Sequence, residues 1–294
     1  MRFEIRHTTR YTYDYPASES VCELRLRIPD LPSQSVGKRT LRIDPPVPVL
    51  AFDDFFGNRV EGFSVYFKHG RLSVESVTRV ETRVVPVSRA QLEATVGETR
   101  QIANSRTRPL FPFLQPSYYV PFAPSLWEPA RRFFRSSEEI GAAALKLNKW
   151  IYRNFRYDPA ATEISTPVDQ VFAERAGVCQ DFAHIMLALC RMNRVAARYV
   201  SGYIEPGDPD TGQLVGAAAT HAWVEVWLPG GTWWGLDPTN NQVAGDRHVV
   251  LAVGRDYADV APVRGRFKGG AVRQTMDVAV RVKRLRASGV RPSA

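Results

Sequence analysis

Residues 177–193, with the sequence GVCQDFAHIMLALCRMN, predict a helix that is buried on almost all sides. From Phe182 onward nearly every position is apolar, which is typical of a central helix rather than of an amphipathic surface helix. Cys179 lies at the expected first residue, where free backbone N–H groups carry a partial positive charge. That charge favours the thiolate, which is the nucleophilic form of cysteine. A cysteine is also a common core residue, so Cys179 alone does not establish a reactive site.

A histidine and an aspartate further along the chain can serve this thiol. The runs HAWVEVWL (221–228) and TWWGLDP (232–238) flank a Pro-Gly-Gly turn, which predicts a β-hairpin. His221 and Asp237 both occupy odd positions, so they project from the same face, diagonal to each other or, with a bulge or a shifted register, directly opposite, with Cβ atoms about 5–8 Å apart. The carboxylate can hold one imidazole nitrogen while the other takes a proton from a thiol. A structural histidine is the alternative, and the nearby helix-start cysteine argues against it.

Three blocks of sequence resemble the motifs of the transglutaminase-like superfamily. They are GVCQDFAH (177–184), HAWVEV (221–226) and GLDPT (235–239). The resemblance implies an α+β, papain-like core in which a buried helix bearing the cysteine packs on an antiparallel sheet. It also implies that Cys179, His221 and Asp237 form a catalytic triad.

A fourth block resembles the bacterial branch of the same superfamily. It has the sequence GRDYADVAPVRG and spans residues 254–265. Members of this branch carry an N-terminal β-rich domain before the core. The resemblance is strong over residues 140–265 and looser over residues 1–90.

Composition divides the chain into three parts. Alternating apolar and polar positions, as over 21–28 and 72–84, predict antiparallel strands in residues 1–90, which we interpret as a β-sandwich domain. Residues 91–135 are rich in proline and aromatic side chains, and the prolines argue for an extended connector packed between two domains. Residues 136–294 then form the catalytic core with a C-terminal strand and a basic tail.

Capping patterns predict where the first two core helices begin. Ser136 with Glu139 forms a capping-box pattern ahead of an apolar helical face. Thr166 followed by a proline predicts an N-cap for a second, shorter helix.

Four further residues are candidates for the cleft around the thiol. The backbone N–H of Cys179 can bind an oxyanion, and Gln180 or Tyr157 can supply a second donor. Trp223 and Glu225 share the odd face of their strand with the predicted base, which favours positions along a substrate cleft. Ordinary packing explains the tryptophan equally well.

Three polar or thiol residues of the cysteine helix are interpreted as structural. Asp181 lies in the first turn, where it interacts favourably with the helix dipole. His184 lies about 140° round the helix from Cys179, so we reject it as the base. Cys190 is expected in the core.

The net charge of +9 raises the question of a nucleic-acid or membrane partner. Nine basic residues and one acid, Asp277, lie in 264–294, so the excess belongs to the C-terminal segment. Apolar residues alternate with charged ones over 272–282, and no aromatic residues are interleaved with them. We interpret this segment as a half-buried strand with a charged outer face. The sequence therefore predicts no nucleic-acid partner, and it predicts no membrane partner.

The number of cysteines bears on the cellular compartment, and the spacing of possible metal ligands bears on metal binding. The chain has three cysteines and no apolar secretory segment near its start, so we expect a reducing, cytoplasmic compartment. No Cys-x-x-Cys or His-Glu-x-x-His spacing occurs, so we expect no metal and no cofactor.

These observations predict a two-domain thiol enzyme that acts on a peptide or protein substrate. Cys179 attacks a peptide or amide carbonyl, His221 transfers the proton, and Asp237 orients the imidazole. Hydrolysis is favoured over cross-linking because nothing in the sequence specifies an amine acceptor. Two alternatives stay open: a protein-glutamine transglutaminase, and a non-catalytic protein-binding module on the same fold.

Overall fold

The computed structural model describes residues 1–105, 107–207, 214–216, 219–270 and 273–285, and it shows an α+β fold. The strands before residue 90 are β1 (Arg2–Leu24), β2 (Gln34–Asp44), β3 (Leu50–Asp53), β4 (Arg59–Val65) and β5 (His69–Thr82). The helices are α1 (Arg89–Glu93), α2 (Val96–Ser105), α3 (Thr107–Leu110), α4 (Trp127–Ala130), α5 (Ile140–Asn154), α6 (Val168–Glu174), α7 (Cys179–Met192) and α8 (Tyr257–Val260). The later strands are β6 (Arg156–Tyr157), β7 (Ala176–Gly177), β8 (Ala197–Ile204), β9 (His221–Leu228), β10 (Thr232–Asp237), β11 (Gln242–Val243), β12 (His248–Gly254), β13 (Val263–Gly269) and β14 (Gln274–Arg284).

The N-terminal sheet is organised around β1, which is 23 residues long. Its first half lies between β5 and β14, and its second half lies mainly between β4 and β13, always in antiparallel pairing. The register with β5 shifts between Thr12 and Ala17, and such an irregularity bends a strand. The described strands therefore form one curled sheet, where the sequence predicts a sandwich. A sandwich needs two separate sheets, and here one long strand runs through both halves.

The last two strands also belong to this N-terminal sheet. Both β13 and β14 pair with β1, whereas the sequence places residues 263–285 with the core. β14 lies at the edge of the sheet, and Met276 and Val278 are 48% and 41% exposed. The expected half-buried strand is therefore wrong for these two residues, and only Val280 and Val282 are partly covered. The predicted basic tail at 286–294 lies outside the described residues.

The core pairs a central helix with a second antiparallel sheet, in the strand order β11-β10-β9-β8-β12. The even residues of β9 pack against α7 in a shared apolar cluster that also includes residues of α5 and α6. Ile185, Met186 and Leu189 are fully buried, which confirms the buried cysteine helix that the sequence predicts. In the described part of the chain, no helix combines the length and apolar character that a membrane crossing requires.

The N-terminal sheet packs on the opposite face of the core sheet. Tyr203 of β8 and Leu251 of β12 are buried in the same apolar cluster as the inner face of β1. Between the sheets, the amide of Gln34 donates to the carbonyl of Val250 at 2.9 Å and accepts its N–H at 2.8 Å. The core sheet is thus covered on one face by α7 and on the other by the N-terminal domain.

The connector at 91–135 contains helices, so the prediction of an extended segment is wrong. Pro112, Pro124 and Pro129 lie in the first turns of short helices or 3-10 turns, where a missing N–H costs no hydrogen bond. The segment does pack between the domains. Phe113 contacts Phe56 of the N-terminal domain at 5.7 Å and Trp233 of the core at 5.2 Å between ring centres.

The first two core helices begin later than the capping patterns predict. The N–H of Glu138 bonds the carbonyl of Arg135 in a separate turn, so α5 begins only at Ile140. Pro167, rather than the preceding threonine, is the N-cap of α6.

Candidate active site

Cys179 is the first residue of α7, and the turn before it is fixed by Asp181. The Oδ2 atom of Asp181 accepts the backbone N–H of Val178 at 2.8 Å and the hydroxyl of Thr162 at 2.6 Å. At Gly177 a Cβ atom would lie 2.6 Å from the same oxygen, so this close approach requires glycine. The sequence explains Asp181 by the helix dipole, and the structure adds that it holds the turn that presents the thiol.

His221 begins β9 and Asp237 ends β10, so both lie at the same end of the hairpin. Leu236 faces Val224 in the observed register, which leaves the histidine and the aspartate diagonal to each other. Nε2 of His221 lies 2.8 Å from Oδ2 of Asp237, and both side chains are fully buried. The imidazole therefore binds the carboxylate through Nε2 and keeps Nδ1 for another partner.

Asp237 is surrounded by donors that stabilise its charged form. Its Oδ1 accepts the backbone N–H groups of Thr239 at 2.9 Å and Asn240 at 3.2 Å, and its Oδ2 accepts the side-chain amide of Asn240 at 2.8 Å. Burial raises the pKa of Asp237, but the attraction of His221 and the histidine hydrogen bonds outweigh it and hold this pKa well below its usual range. The carboxylate is therefore ionised at neutral pH.

The charge of Asp237 acts mainly on His221. Burial lowers the pKa of the imidazole, while the neighbouring carboxylate and the Cys179 thiol raise it, with a net result of about 10. Within the described residues Nδ1 makes no hydrogen bond of regular geometry, yet the thiol lies close enough to shift this pKa. Thiol and base commonly stand slightly apart in a free enzyme and tighten when substrate binds. The raised pKa keeps His221 protonated at neutral pH and places its positive charge beside the thiol.

A cavity of about 630 Å³ opens over the thiol and the imidazole. Tyr157 and Gln180, two of the residues that the sequence proposes for the cleft, line this cavity. The amide of Gln180 donates to the carbonyl of Ile164 at 3.2 Å, which holds its side chain at the rim. Burial and the nearby charge of Cys179 raise the pKa of Tyr157 to about 12, so its hydroxyl stays protonated and available as a donor. We call this space the thiol cavity.

Trp223 and Glu225 do not line the thiol cavity, so their prediction as cleft residues is wrong. Trp223 is 1% exposed, and its ring meets the ring of His248 edge to face at 5.2 Å. Glu225 forms an ion pair with Arg198 at 2.6 Å, and the guanidinium of Arg198 lies over Trp233. The odd residues of β9 face away from α7. Trp223 and Glu225 therefore lie on the face of the core sheet opposite to α7, whereas His221, at the start of the strand, lines the thiol cavity.

His248 and Asn240 complete the surroundings of Asp237, and sequence reasoning misses both. Nε2 of His248 lies 3.3 Å from Oδ2 of Asp237, while its Nδ1 accepts the N–H of Gly245 at 3.2 Å. His248 is the first residue of β12, which β9 and β8 separate from β10 in the sheet order, so no local motif indicates that its side chain reaches Asp237. Asn240 was detectable, because an asparagine three residues after an aspartate is typical of a turn whose amides cap the carboxylate.

The cluster of His221, Asp237 and His248 contains metal-ligand types, with one ligand atom of each within 4.8 Å of the others. A metal would need a free lone pair on Nε2 of His248. The hydrogen bond from Gly245 occupies the lone pair of Nδ1, so the proton of this neutral ring is on Nε2. The three side chains therefore fit a hydrogen-bonded network and do not fit a cation.

Three further buried titratable side chains, His184, Cys190 and Cys22, do not line the thiol cavity. His184 stacks on Tyr119 with ring centres 5.6 Å apart and accepts the N–H of Tyr257, and burial lowers its pKa to about 3. Cys190 is fully buried in the core, which raises the pKa of its thiol to about 12. Cys22 lies in the N-terminal sheet, where burial raises its thiol pKa to about 11.

Known proteins match both parts of the chain. The family model described as the Transglutaminase-like superfamily matches residues 129–238, and the model described as the bacterial transglutaminase-like N-terminal region matches residues 3–81. An uncharacterised protein of Mycobacterium leprae is 30% identical over 285 residues, which cover 97% of this chain and 99% of that protein. A protein-glutamine gamma-glutamyltransferase of Pseudomonas aeruginosa is 31% identical over 164 residues, which cover 52% of this chain and 24% of that protein.

A solved structure extends the similarity to the full fold. The chain is similar to the structure of a candidate cysteine protease from Cytophaga hutchinsonii, with a TM-score of 0.77 and 27% sequence identity. The match covers 98% of this chain and 92% of that one. Since both regions match in sequence and the whole chain matches in structure, this protein belongs to the transglutaminase-like superfamily and carries the N-terminal region of its bacterial members.

Proposed function

We propose that the chain is a thiol-dependent acyl-transfer enzyme that uses Cys179 to attack the carbonyl of a peptide or amide. One observation supports this above all. The hydrogen bond from Nε2 of His221 to Asp237 leaves Nδ1 beside the thiol, at the floor of an open cavity. These are the roles of nucleophile, base and orienting carboxylate in covalent catalysis.

The proposed reaction has two halves. In the first, Nδ1 of His221 carries the proton that the Cys179 thiol gives up, and the sulfur attacks the carbonyl carbon. The resulting oxyanion accepts hydrogen bonds from the backbone N–H of Cys179 and from the hydroxyl of Tyr157. When the intermediate collapses, the carbon–nitrogen bond breaks, the amine leaves with the proton from His221, and a thioester stays on the enzyme.

The second half transfers the acyl group to an acceptor. A water molecule gives a proton to Nδ1 of His221 and attacks the thioester, and the carboxylic acid leaves as the sulfur recovers a proton. We favour water as the acceptor, because none of the described residues that line the thiol cavity is Asp or Glu. A protonated amine would therefore meet no carboxylate there.

Transamidation is the second candidate function. It is favoured by the similarity of half the chain to the Pseudomonas aeruginosa protein-glutamine gamma-glutamyltransferase. In this case an amine enters the thiol cavity as a neutral molecule and takes the place of water in the second half. The product is then a substituted amide rather than an acid.

The first test measures alkylation of each cysteine by iodoacetamide near neutral pH. We expect Cys179 to react faster than Cys22 and Cys190, because burial raises the pKa of both other thiols. Equal, slow labelling of all three would argue against catalysis and favour the protein-binding module.

The second test separates the two acceptors. Casein is incubated with the protein and a fluorescent primary amine, and both peptide cleavage and amine incorporation are measured. We expect cleavage or deamidation without incorporation, and incorporation would establish the transferase instead. Cys179→Ala should abolish either activity, whereas Cys22→Ala is the matched control and should retain it.

A further inference from the structure

A second cavity lies next to the thiol cavity, between the N-terminal sheet and the core. It has a volume of about 610 Å³, and we call it the interdomain cavity. Ile164 and Tyr257 line both spaces, so these two side chains form the wall between them. The two cavities therefore lie side by side, and a peptide bound in the thiol cavity has the interdomain cavity as its neighbour.

Tyrosines from three parts of the fold line the interdomain cavity. Tyr11 comes from β1, Tyr119 from the connector and Tyr257 from α8. Burial and the nearby charge of Tyr257 raise the pKa of Tyr11. Burial and the nearby charges of Tyr119 and Cys179 raise the pKa of Tyr257. These hydroxyls thus lie within electrostatic reach of one another and extend from the N-terminal sheet to the thiol. Tyrosine combines apolar ring contact with a polar tip, which suits recognition of a peptide.

Arginines give the same cavity a positive charge. Arg255 is neutralised by Asp259, with hydrogen bonds of 2.8 and 2.9 Å. Arg264 and Arg266 of β13 also line the cavity, and neither forms an ion pair within the described part of the chain. Asp259 is the one acid among the described lining residues, so the positive charge of the two β13 arginines is not balanced there.

The nearest acid on β1 does not remove this imbalance. Glu23 faces Arg264 in the pairing of β1 with β13, but its carboxylate lies 3.6 Å from the guanidinium of Arg25. Arg264 is instead close enough to Tyr119 to act on its hydroxyl across the cavity. Both Arg264 and Tyr119 line the interdomain cavity.

We propose that the interdomain cavity is a substrate subsite that binds an acidic, aromatic segment of the peptide next to the bond attacked by Cys179. The unpaired guanidinium groups attract carboxylates, and the tyrosine rings pack on aromatic side chains. The N-terminal domain then contributes directly to substrate selection. This inference rests on the proposed function, because it takes the occupant of the thiol cavity to be a peptide.

The test uses binding without turnover. The Cys179→Ala variant of the full chain is titrated into a fluorescein-labelled peptide of alternating Glu and Tyr, and fluorescence anisotropy is recorded. A second peptide carries Lys in place of Glu. We expect the acidic peptide to bind at least about tenfold more tightly, with an affinity that falls as salt is added.

Charge reversal in the same background locates the binding. Arg264→Glu or Arg266→Glu should weaken binding of the acidic peptide by about tenfold or more. Arg10→Glu is the matched control, because Arg10 is exposed on the face of β1 opposite to Tyr11, and it should change binding by less than about twofold. Equal affinity for both peptides, an equal loss in Arg10→Glu, or no binding at all would each overturn the proposal.

Alkylation keeps this proposal separate from the proposed function. The reaction of Cys179 with iodoacetamide needs no peptide, so its rate in the unmodified chain tests the reactive thiol independently of the subsite. An unreactive thiol together with selective peptide binding would refute catalysis and leave the interdomain cavity as a peptide-binding site. A reactive thiol without selective binding would refute the subsite alone.

Discussion

His248 donates its Nε2–H to Oδ2 of Asp237 at 3.3 Å, the same oxygen that is bound by His221. The N–H of Gly245 holds the other side of the ring, so one tautomer is fixed. Burial lowers the pKa of His248, which keeps this imidazole neutral while His221 is charged. Asp237 is therefore held between one neutral and one charged imidazole, and we infer that His248 is a positioning residue.

Replacing His248 should affect turnover more than binding. We expect His248→Ala to lower kcat about tenfold, or about 1.4 kcal/mol, with little change in KM, because the carboxylate loses a donor that orients it. His248→Gln restores an amide donor and should recover most of the loss. Both variants are measured with casein. Equal losses in the two variants would mean that the ring serves packing alone.

The charge of Asp237 should set the pH at which the thiol becomes reactive. Asp237→Asn removes the negative charge that raises the pKa of His221, so the imidazolium is lost at lower pH. Without an imidazolium beside it, the Cys179 thiol loses the positive charge that favours its reactive form. The midpoint of the iodoacetamide rate against pH should therefore move upward, and the rate at neutral pH should fall.

A remote charge change provides the control for this profile. Asp53→Asn removes an exposed carboxylate that pairs with Arg59 at 3.2 Å, far along the chain from the thiol. Its midpoint should match that of the unmodified chain. If Asp237→Asn also leaves the midpoint in place, Asp237 does not act on the thiol through His221.

The parts of the site that follow local patterns are predictable from the sequence. An uninterrupted apolar run indicates α7, and alternation across a short turn indicates the hairpin that places His221 diagonal to Asp237. Such patterns report periodicity and short-range pairing, which depend on neighbouring residues. They also carry the family resemblance, because the motifs lie at these same points.

The parts that depend on distant strands are not predictable in this way. His248 reaches Asp237 although β8 and β9 lie between their strands in the core sheet, and β13 and β14 join β1 across most of the chain length. The alternation of apolar and polar residues indicates that one face of a strand is covered, but it does not indicate which element covers that face. For this reason Trp223 is correctly placed on the face of His221 and wrongly assigned to the cleft.

Gly216 should be required for the orientation of the base. Its φ is +94°, and a Cβ atom there would lie 2.6 Å from Nδ1 of His221. Gly216→Ala therefore combines backbone strain of about 1–2 kcal/mol with a clash against the nitrogen that serves the thiol. We expect kcat/KM for casein to fall at least about tenfold.

A second glycine separates strain from the clash. Gly231 has a φ of +90°, and no heavy atom lies within 4 Å of the position its Cβ would take. Gly231→Ala should lower the unfolding temperature to a similar degree and leave kcat/KM near that of the unmodified chain. If both variants lose activity equally, the contact between Gly216 and His221 has no part in catalysis.

The buried pair should also make the stability of the fold depend on pH. The folded pKa of His221 is raised from 6.5 to about 10, so the folded chain holds an extra proton between these values. The stabilisation from this proton is complete below pH 6.5 and is lost as the pH rises towards 10. Asp237 behaves in the opposite way, because its lowered pKa gives a contribution that is present above 3.8 and lost only in stronger acid.

His221→Gln removes the titrating group while it keeps a side chain of similar polarity. The free energy of unfolding in urea is measured for both chains at about pH 6 and about pH 9. We expect the advantage of the unmodified chain over His221→Gln to shrink between these two values, because only the unmodified chain loses its extra proton. An advantage that stays constant would mean that the folded pKa of His221 is not raised. No imidazolium would then lie beside Cys179 at neutral pH.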